Sequence, residues 1–346
     1  MGGGTAQSHT PATRGLSYTI EMITMSRVVS IQQSNEQDEK LLSTFGDRLQ
    51  RSVTLARHTA ARIGGAADWL LVVDSVDQLT DAVSQLWALD IPFFVLGGGS
   101  NVLISDYGVR QLVILNKARH LHYDMNLTSP KVLAESGANL GKIARQCARR
   151  GLSGLEWAAG VPGTVGGAVF GNAGAHGSDV AGTLQMAEIL HRRMHGTVRE
   201  SWPLEDLEFE YRSSVFKRNP GDVVILAAQF KLLPGEPDKI QAQMDENAAY
   251  RRKTQPPGAS MGSMFKNPQG DFAGRLIEAA GLKGTCIGGA EISTVHANFF
   301  VNHEGATATD VIKLIRLAQE TVIEKFDVEL ELEIELVGEL SREIGD

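Results

Sequence analysis

The chain has 346 residues, 42% of them hydrophobic and 21% charged, and a formal net charge of −8 at pH 7. This length allows two or three domains with a substantial core, and the composition is ordinary for a soluble globular protein. The negative charge, with no basic run longer than Arg251-Arg252-Lys253, argues against a nucleic-acid-binding protein. The sequence has no stretch of 18 apolar residues, so it predicts no transmembrane helix.

The two cysteines and residues 1–40 bear on the cellular location and the folded boundaries of the protein rather than on its function. Cys147 and Cys286 provide neither a disulfide framework nor a metal-ligand spacing, which favours a reducing, cytoplasmic location and no metal site. The N-terminal segment is rich in Gly, Ser, Thr and Gln and lacks the apolar region of a secretory signal. We expect residues 1–40 to be a disordered extension and the folded protein to begin near Leu41. We also expect a monomer with no nucleic-acid or membrane partner.

Strands and one helix are predicted between residues 68 and 116. Ser75 and Gln78 have the spacing of a capping box, and the apolar stripe through Trp87 predicts the helix that follows. Apolar runs predict strands at residues 69–73, 91–96, 102–104 and 112–115. The loop Gly97-Gly-Gly-Ser-Asn101 directly follows the second of these strands. Such a loop can be a backbone nest for a phosphate or pyrophosphate, or simply a tight turn.

A second glycine-rich stretch, residues 160–177, follows a predicted helix at 139–150. Seven of its eighteen residues are glycine. Glycine costs backbone entropy on folding, so this density indicates that a ligand lies directly against the main chain. The interleaved apolar side chains Val161, Val165, Val169 and Phe170 exclude a flexible linker. The chain contains neither a P-loop nor a G-x-G-x-x-G fingerprint, so a phosphate-bearing cofactor would need another fold.

The second half of the chain mixes helices and strands. We predict a hairpin at 188–190 and 196–200, a strand at 222–233, helices at 237–255, 272–280 and 309–326, and a strand at 297–301. The last strand, residues 328–337, alternates apolar and acidic side chains. No βαβαβ repeat emerges, so the fold class is α+β.

Seven motifs in this order resemble the UDP-N-acetylenolpyruvoylglucosamine reductases (UDP-N-acetylmuramate dehydrogenases) of bacterial cell-wall synthesis. The resemblance covers about residues 41–340 and includes several separate motifs, which makes it far more specific than one glycine loop. The motifs are Arg62-Ile-Gly-Gly65, Leu96-Gly-Gly-Gly-Ser-Asn101, Gly160-Val-Pro-Gly-Thr-Val-Gly-Gly-Ala-Val-Phe-Gly-Asn-Ala-Gly174, Glu210-Tyr-Arg-Ser-Ser214, Gly262-Ser-Met-Phe-Lys-Asn-Pro268, Ile287-Gly-Gly289 and Leu330-Glu-Leu-Glu-Ile-Glu-Leu-Val-Gly338.

The resemblance implies an FAD-binding module of the vanillyl-alcohol-oxidase type at 41–235, in two subdomains that meet near 115–120. It also implies an α+β substrate-binding domain at 236–346. The enzyme would use NADPH and non-covalent FAD to reduce UDP-N-acetylglucosamine enolpyruvate to UDP-N-acetylmuramate in peptidoglycan synthesis. The segment after Pro268 leaves no room for the extra tyrosine loop of some members, so this is the shorter type. A flavin oxidase of the same fold and a non-enzymatic flavin- or nucleotide-sugar-binding module are the alternatives.

The resemblance also assigns roles to residues. Arg212, Ser263 and Glu333 would be catalytic. Tyr211, Lys266, Asn267 and His296 would contact the nucleotide-sugar substrate. The FAD contacts would be Arg62, Gly97, Gly98, Gly99, Ser100, Asn101, Gly160, Pro162, Gly163, Thr164, Gly166, Gly167, Asn172 and Gly174.

Several of these roles have structural alternatives in the sequence itself. Ser263 lies in a turn-like segment, with Ser260 as a nearby competitor. The glutamates at 329, 331, 333 and 335 would share one face of a strand, and an acidic face of this kind is usually only solvated. Some members have an arginine two residues after the catalytic glutamate. Here that position is Glu335, which leaves open the cation that neutralises the substrate diphosphate.

Overall fold

The computed structural model describes residue 1, residues 36–126 and residues 128–340. Most of the expected disordered extension lies outside the described residues, but its end forms a helix, α1, over residues 36–45. Glu36 and Lys40 form an ion pair of 2.7 Å one helical turn apart, and Leu41 and Phe45 repeat that spacing as buried residues. The helix therefore begins before Leu41. Residues up to 48 form a unit of their own, which ends in a 3₁₀ turn at Gly46–Arg48.

The first subdomain contains a four-stranded sheet and one helix. Its elements are β1 (Leu49–Thr54), β2 (Ala66–Val73), α2 (Val76–Ala88), β3 (Phe93–Leu96), β4 (Val102–Ile104) and β5 (Val109–Asn116). The strand order is β1-β2-β5-β3, with β2 and β3 parallel to β5 and β1 antiparallel to β2. Ser75 caps α2 by accepting the N–H of Gln78. β3 begins at Phe93 rather than Ile91, because Pro92 has no N–H to join the sheet.

The second subdomain contains a five-stranded antiparallel sheet of order β12-β11-β13-β7-β6. The predicted hairpin is present and longer than expected. The elements are β6 (Leu121–Asp124), β7 (Lys131–Glu135), α3 (Leu140–Ala148), β8 (Leu152–Ser153), α4 (Val165–Phe170), β9 (Gly174–Ala175), β10 (Ser178–Asp179), α5 (Val180–Thr183), β11 (Leu184–Arg193), β12 (Gly196–Pro203), α6 (Val215–Arg218), β13 (Val223–Lys231) and β14 (Leu233–Pro234).

The C-terminal part has a four-stranded antiparallel sheet of order β15-β18-β17-β16, covered by helices. Its elements are α7 (Pro237–Thr254), β15 (Ala259–Ser263), α8 (Ala273–Ala279), β16 (Cys286–Ile287), β17 (Ala290–Ile292), β18 (Phe299–Asn302), α9 (Ala308–Phe326) and β19 (Glu335–Val337). α7 places Ile240 and Met244 in the core of the second subdomain. The predicted boundary at 236 therefore precedes a helix that packs with the second subdomain. The α+β fold class is confirmed.

The prediction of one alternating strand over residues 328–337 is wrong, because the segment changes its partner at Glu333. The N–H of Lys266 donates to Glu331 O at 2.8 Å, and the N–H of Glu333 donates to Met264 O at 2.9 Å. Two residues later the N–H of Glu335 donates to Asn101 O at 2.9 Å, and β19 continues parallel to β4. This change of partner breaks the period of two.

Two further contacts join the C-terminal part to the first subdomain. The Asp106 carboxylate accepts the N–H groups of Ala308 at 2.7 Å and Thr309 at 3.0 Å, at the start of α9. The Asn302 amide donates to Ala61 O at 2.9 Å. Within the described ranges no helix is both long and apolar enough to cross a membrane.

We expect Asp106→Ala to lower the free energy of unfolding by about 1–2 kcal/mol, because two N–H groups at the start of α9 lose their acceptor. Urea unfolding of the purified protein measures this change. Asp245→Ala, at an exposed position of α7 where the carboxylate accepts from Gln241, is the control and should change stability little. Equal stability of both variants would contradict the capping role.

Candidate active site

The backbone of Glu333 is held by three parts of the chain. Its N–H donates to Met264 O at 2.9 Å. Its carbonyl oxygen accepts from the Asn101 amide at 3.1 Å and lies 3.4 Å from the Lys217 ammonium. Asn101 belongs to the first subdomain, Lys217 to the second and Met264 to the C-terminal part. The position of Glu333 therefore depends on the assembly of all three.

The side chain of Glu333 pairs with Arg212. Arg212 Nε donates to Glu333 Oε1 at 2.9 Å, and Arg212 Nη2 donates to Gly174 O at 2.9 Å. The guanidinium lies over the Tyr211 ring, 5.1 Å from its centre. The side chains of Arg212 and Glu333 are only 22% and 18% exposed. The structure thus brings two predicted catalytic residues together, and it separates Glu333 from the exposed glutamates at 329 and 331.

Burial and charge act in opposite directions on Glu333. Burial raises the pKa of its carboxyl above the ordinary glutamate value, and this effect is larger than the opposing ones. Arg212 is the main opposing group, followed by Lys217 and Lys266. A glutamate with a raised pKa next to a cation suits proton transfer near neutral pH.

Ser263 is the last residue of β15 and lies beside the Glu333 backbone. Its cross-strand partner is Phe299 of β18. The Asn298 side chain fixes the residues that follow, because it accepts the N–H of Phe265 at 2.9 Å and donates to Phe265 O at 2.8 Å. The carbonyl that receives the Glu333 N–H is that of Met264, the residue after Ser263. Ser260 instead pairs with Val301, farther along β15.

A cleft of about 520 Å³ lies beside this cluster. Tyr211, Lys266 and Asn267, three of the four predicted substrate residues, line it. Lys266 forms an ion pair with Glu331 at its edge. Asn267 also accepts the N–H of Ala273 at 3.1 Å, which anchors the cleft wall to the start of α8.

His296, the fourth predicted substrate residue, is not among the residues that line the cleft. Its ring packs against Phe299 with 5.0 Å between ring centres, and its Nδ1 accepts the N–H of Asn298 at 3.2 Å. Burial is the main cause that lowers the pKa of His296. The imidazole is therefore neutral at pH 7 and packed within the C-terminal part, where it supports the Asn298 turn.

The two glycine-rich loops lie against each other. A Cβ on Gly97 would lie 2.4 Å from Thr164 Oγ1, and one on Gly98 would lie 3.2 Å from Gly163 Cα. A Cβ on Gly99, which has φ +58°, would lie 2.1 Å from His58 O. Close approach of one protein loop to another thus accounts for these glycines. The glycine density of the 160–177 stretch predicts a ligand alone, and this contact between loops is a second cause.

The same loops also have features that fit a bound anion and a flat ligand. The backbone N–H groups of residues 98–101 donate to no acceptor in the described part of the chain. Gly167, in the middle of α4, is exposed, and a Cβ there would have only Thr164 Oγ1, at 3.8 Å, as a neighbour. Alanine would favour the helix by about 1 kcal/mol at such a position, so packing inside the protein does not explain this glycine.

The remaining predicted cofactor residues have varied surroundings. Ser100 Oγ would lie 2.7 Å from a Cβ on Gly163, and Gly166 packs on Ser136. Gly160 lies against the Arg251 side chain, Gly174 faces Asp179 and Arg212, and Pro162 and Arg62 are exposed.

The Asn172 side chain is used within the protein. It donates to Asp179 and to Glu210 O and accepts the N–H of Ala181. These bonds use its whole amide, so the side chain holds the loop that carries Arg212. The Asn101 amide likewise faces Glu333.

Two residues of the cluster were not predicted from the sequence, Lys217 and Asn298. Lys217 lies shortly after Arg212 in the same segment of the sequence, and this closeness was the only sequence signal for it. Asn298 has no distinguishing motif. No group of His, Cys, Asp and Glu side chains suited to a metal ion occurs among the residues that the structure describes.

Comparisons with known proteins identify the family of this chain. The family model "FAD binding domain" matches residues 67–192, and "UDP-N-acetylenolpyruvoylglucosamine reductase, C-terminal domain" matches residues 253–337. A reductase of this name from Rubrobacter xylanophilus is 47% identical over 82% of this chain and 94% of its own length. The one from Bacillus subtilis is 43% identical over 82% of this chain and 92% of its own length.

The chain belongs to the UDP-N-acetylenolpyruvoylglucosamine reductase family.

A solved member has the same fold. The crystal structure of UDP-N-acetylenolpyruvylglucosamine reductase from Thermus caldophilus matches with a TM-score of 0.70 at 36% identity, over 84% of this chain and 99% of that one. The resemblance inferred from seven motifs is therefore confirmed. In this reductase α8 begins at Ala273, so only a short turn follows Pro268, as expected for the shorter type.

We expect Glu333→Gln to make the folded reductase more stable at pH 7. The raised pKa means that the folded state holds its proton more tightly than the unfolded state, so ionised Glu333 costs stability. That cost is absent below the ordinary glutamate pKa and complete above the raised one. The stability difference between variant and wild type should therefore shrink as the pH falls towards 4. Urea unfolding across pH measures it, and a less stable variant at pH 7 would show that the pairing with Arg212 outweighs burial.

Proposed function

We propose that this chain reduces the enolpyruvyl group of UDP-N-acetylglucosamine enolpyruvate to UDP-N-acetylmuramate, with NADPH as the electron source and FAD as the bound cofactor. Family membership and the FAD-binding domain support the activity. The observation that carries the site assignment is the buried pair of Arg212 and Glu333 beside the cleft. FAD held by the loops at residues 97–101 and 160–174 would supply hydride transfer from NADPH to the terminal vinyl carbon of the substrate.

The fold offers a suitable place for FAD. The N–H groups of residues 98–101 form a nest for the diphosphate, and the exposed Gly167 of α4 gives flat access to the main chain. Thr164 of the second glycine-rich stretch faces Gly97 of the first. The loop after β3 has Ser100 and Asn101 after its glycines, so it provides no histidine for a covalent link.

Arg212 has the role of stabilising charge. Hydride addition at the vinyl carbon moves negative charge onto the neighbouring carboxylate of the substrate. The guanidinium has five N–H donors, and its bonds to Glu333 and Gly174 fix its orientation. A positive group fixed in advance stabilises the developing charge without reorganisation.

Ser263 and Glu333 have the role of proton transfer. The carbon next to the one that receives hydride must gain a proton. A serine hydroxyl is a weak acid, so it donates well only to a strongly basic carbon or with a partner that replaces its proton. Glu333 lies close by, since its N–H donates to the carbonyl of Met264, and burial raises the pKa of its carboxyl above the ordinary glutamate value. We assign the proton to Ser263, with Glu333 and Arg212 controlling the charge around it.

The substrate would occupy the cleft lined by Tyr211, Lys266 and Asn267. Lys266 supplies positive charge and Asn267 an amide. His296 packs against Phe299 and, like Arg212, Ser263 and Glu333, does not line this cleft, so we propose that it contacts the substrate outside the cleft. The FAD-binding residues would then lie in the two subdomains up to residue 235, and the C-terminal part would supply Ser263 and Glu333.

The setting proposed is the cytoplasm, because the substrate is a nucleotide sugar and the two cysteines are free. We propose that the enzyme acts as a monomer. The net charge of −8 disfavours a nucleic-acid partner.

The proposal predicts two separable half-reactions. Under anaerobic conditions NADPH should bleach the flavin absorbance, and UDP-N-acetylglucosamine enolpyruvate should restore it. The visible absorbance of the oxidised flavin follows both steps. Bleaching without recovery would contradict the proposal, and rapid oxygen-dependent recovery coupled to another substrate would favour a flavin oxidase.

Ser263→Ala should slow the second half-reaction by about 100- to 10,000-fold, the usual contribution of a positioned proton donor. Bleaching by NADPH should stay at the wild-type rate. Stopped-flow absorbance separates the steps, and Ser260→Ala is the matched control, since Ser260 lies on the same strand and pairs with Val301. Equal loss of both half-reactions would show that Ser263 is structural.

A further inference from the structure

Glu335 stands where the family resemblance leads one to expect an arginine, and it faces a lysine. Glu335 Oε1 lies 2.6 Å from Lys217 Nζ. The Lys217 side chain is 18% exposed and that of Glu335 is 36% exposed. An arginine at 335 would place a second cation next to Lys217, whereas Glu335 neutralises it. The two residues therefore form a matched pair in this chain.

Both partners are fixed by their surroundings. Glu335 begins β19, where it pairs with Val102 of β4 and donates its N–H to Asn101 O at 2.9 Å. Lys217 lies in α6, whose first turn is capped by Ser214. The Ser214 hydroxyl in turn donates to Phe170 O at 2.6 Å. Both side chains are at least partly buried, so water and salt screen the pair less than an exposed ion pair.

The Lys217 ammonium contacts Glu333 as well as Glu335. It lies 3.4 Å from the Glu333 carbonyl oxygen, which also accepts from Asn101 at 3.1 Å. Glu335 holds the Lys217 ammonium in place. The contact of that ammonium with the Glu333 carbonyl oxygen therefore fixes the peptide group after Glu333. The carboxylate that pairs with Arg212 is on the same residue, so its position follows that of the peptide.

We propose that Lys217 and Glu335 are positioning residues for the reduction step, a pair that holds the Glu333 peptide so that its carboxylate stays beside Arg212. This role rests on the proposed function, in which Glu333 acts on the enolpyruvyl substrate. In this role Lys217 contacts Glu335 and Glu333 of the protein and does not bind the substrate diphosphate. The cations that remain at the cleft for the diphosphate are Lys266 and Arg218.

The test compares Lys217→Met, Glu335→Gln and the double variant in the flavin-loaded enzyme. Each single change should slow flavin reoxidation by the enolpyruvyl substrate by about 10- to 100-fold, the range expected when a reacting group is slightly misplaced. Bleaching by NADPH should be unchanged, and kcat should fall while KM changes little. Lys217→Met should have the larger effect, because it removes the bond to the Glu333 carbonyl directly. The double variant should be no slower than Lys217→Met, because the pair acts as a unit.

The exposed pair of Glu236, the residue before α7, and Lys239 in its first turn, 2.8 Å apart, provides the matched control. Lys239→Met and Glu236→Gln should leave both half-reactions at the wild-type rate. Flavin content and the thermal midpoint of each variant show whether it is folded. If Lys217→Met fails to fold, Glu335→Gln still tests the pair, because glutamine keeps the shape of the glutamate side chain.

A readout independent of turnover is the crystal structure of Lys217→Met, or of Glu335→Gln if the former does not fold, in which the Glu333 carboxylate should have moved away from Arg212. An unmoved carboxylate with wild-type reoxidation would overturn the proposal. So would equal loss of both half-reactions. If the wild type itself is not reoxidised by the substrate, the proposed function fails, and the position of Glu333 in the variant still decides the role of the pair.

Discussion

The arrangement of the site depends on how the Glu333 peptide is bonded. Its N–H and carbonyl are held by Met264, Asn101 and Lys217, each from a different part of the chain. A carboxylate held in this way can remain buried next to a cation, where it would otherwise swing towards water. Burial then raises its pKa while Arg212 limits the rise. The chemistry of one side chain therefore depends on bonds made by its backbone.

Much of the architecture was readable from the sequence because it follows local rules. The capping of α2 by Ser75, the long hairpin of β11 and β12, and the helix α9 follow from residue type and period. The glycine-rich stretch was harder. Its glycines predicted close approach to the backbone, but several of them are needed where protein loops meet, and part of the stretch is the helix α4.

The choice of Glu333 among four alternating glutamates could not come from the pattern alone. The pattern treats positions 329, 331, 333 and 335 alike, whereas the segment changes its bonding partner in the middle. That change depends on residues more than sixty positions away, such as Met264, and on Asn101. The family motif identified the residue, and only the three-dimensional contacts give the physical reason. Lys217 was not predicted for the same reason, since its partners Glu333 and Glu335 are distant in sequence.

The parallel pairing of β19 with β4 has a consequence for how the protein is made. Synthesis proceeds from the N-terminus, so the first subdomain leaves the ribosome long before its last strand partner exists. Residues 335–337 must emerge before β4 is paired and before Glu333 can meet Asn101. A nascent chain that stops before residue 335 lacks the strand that pairs with β4, and it cannot form the bond from the Glu335 N–H to Asn101 that holds this segment.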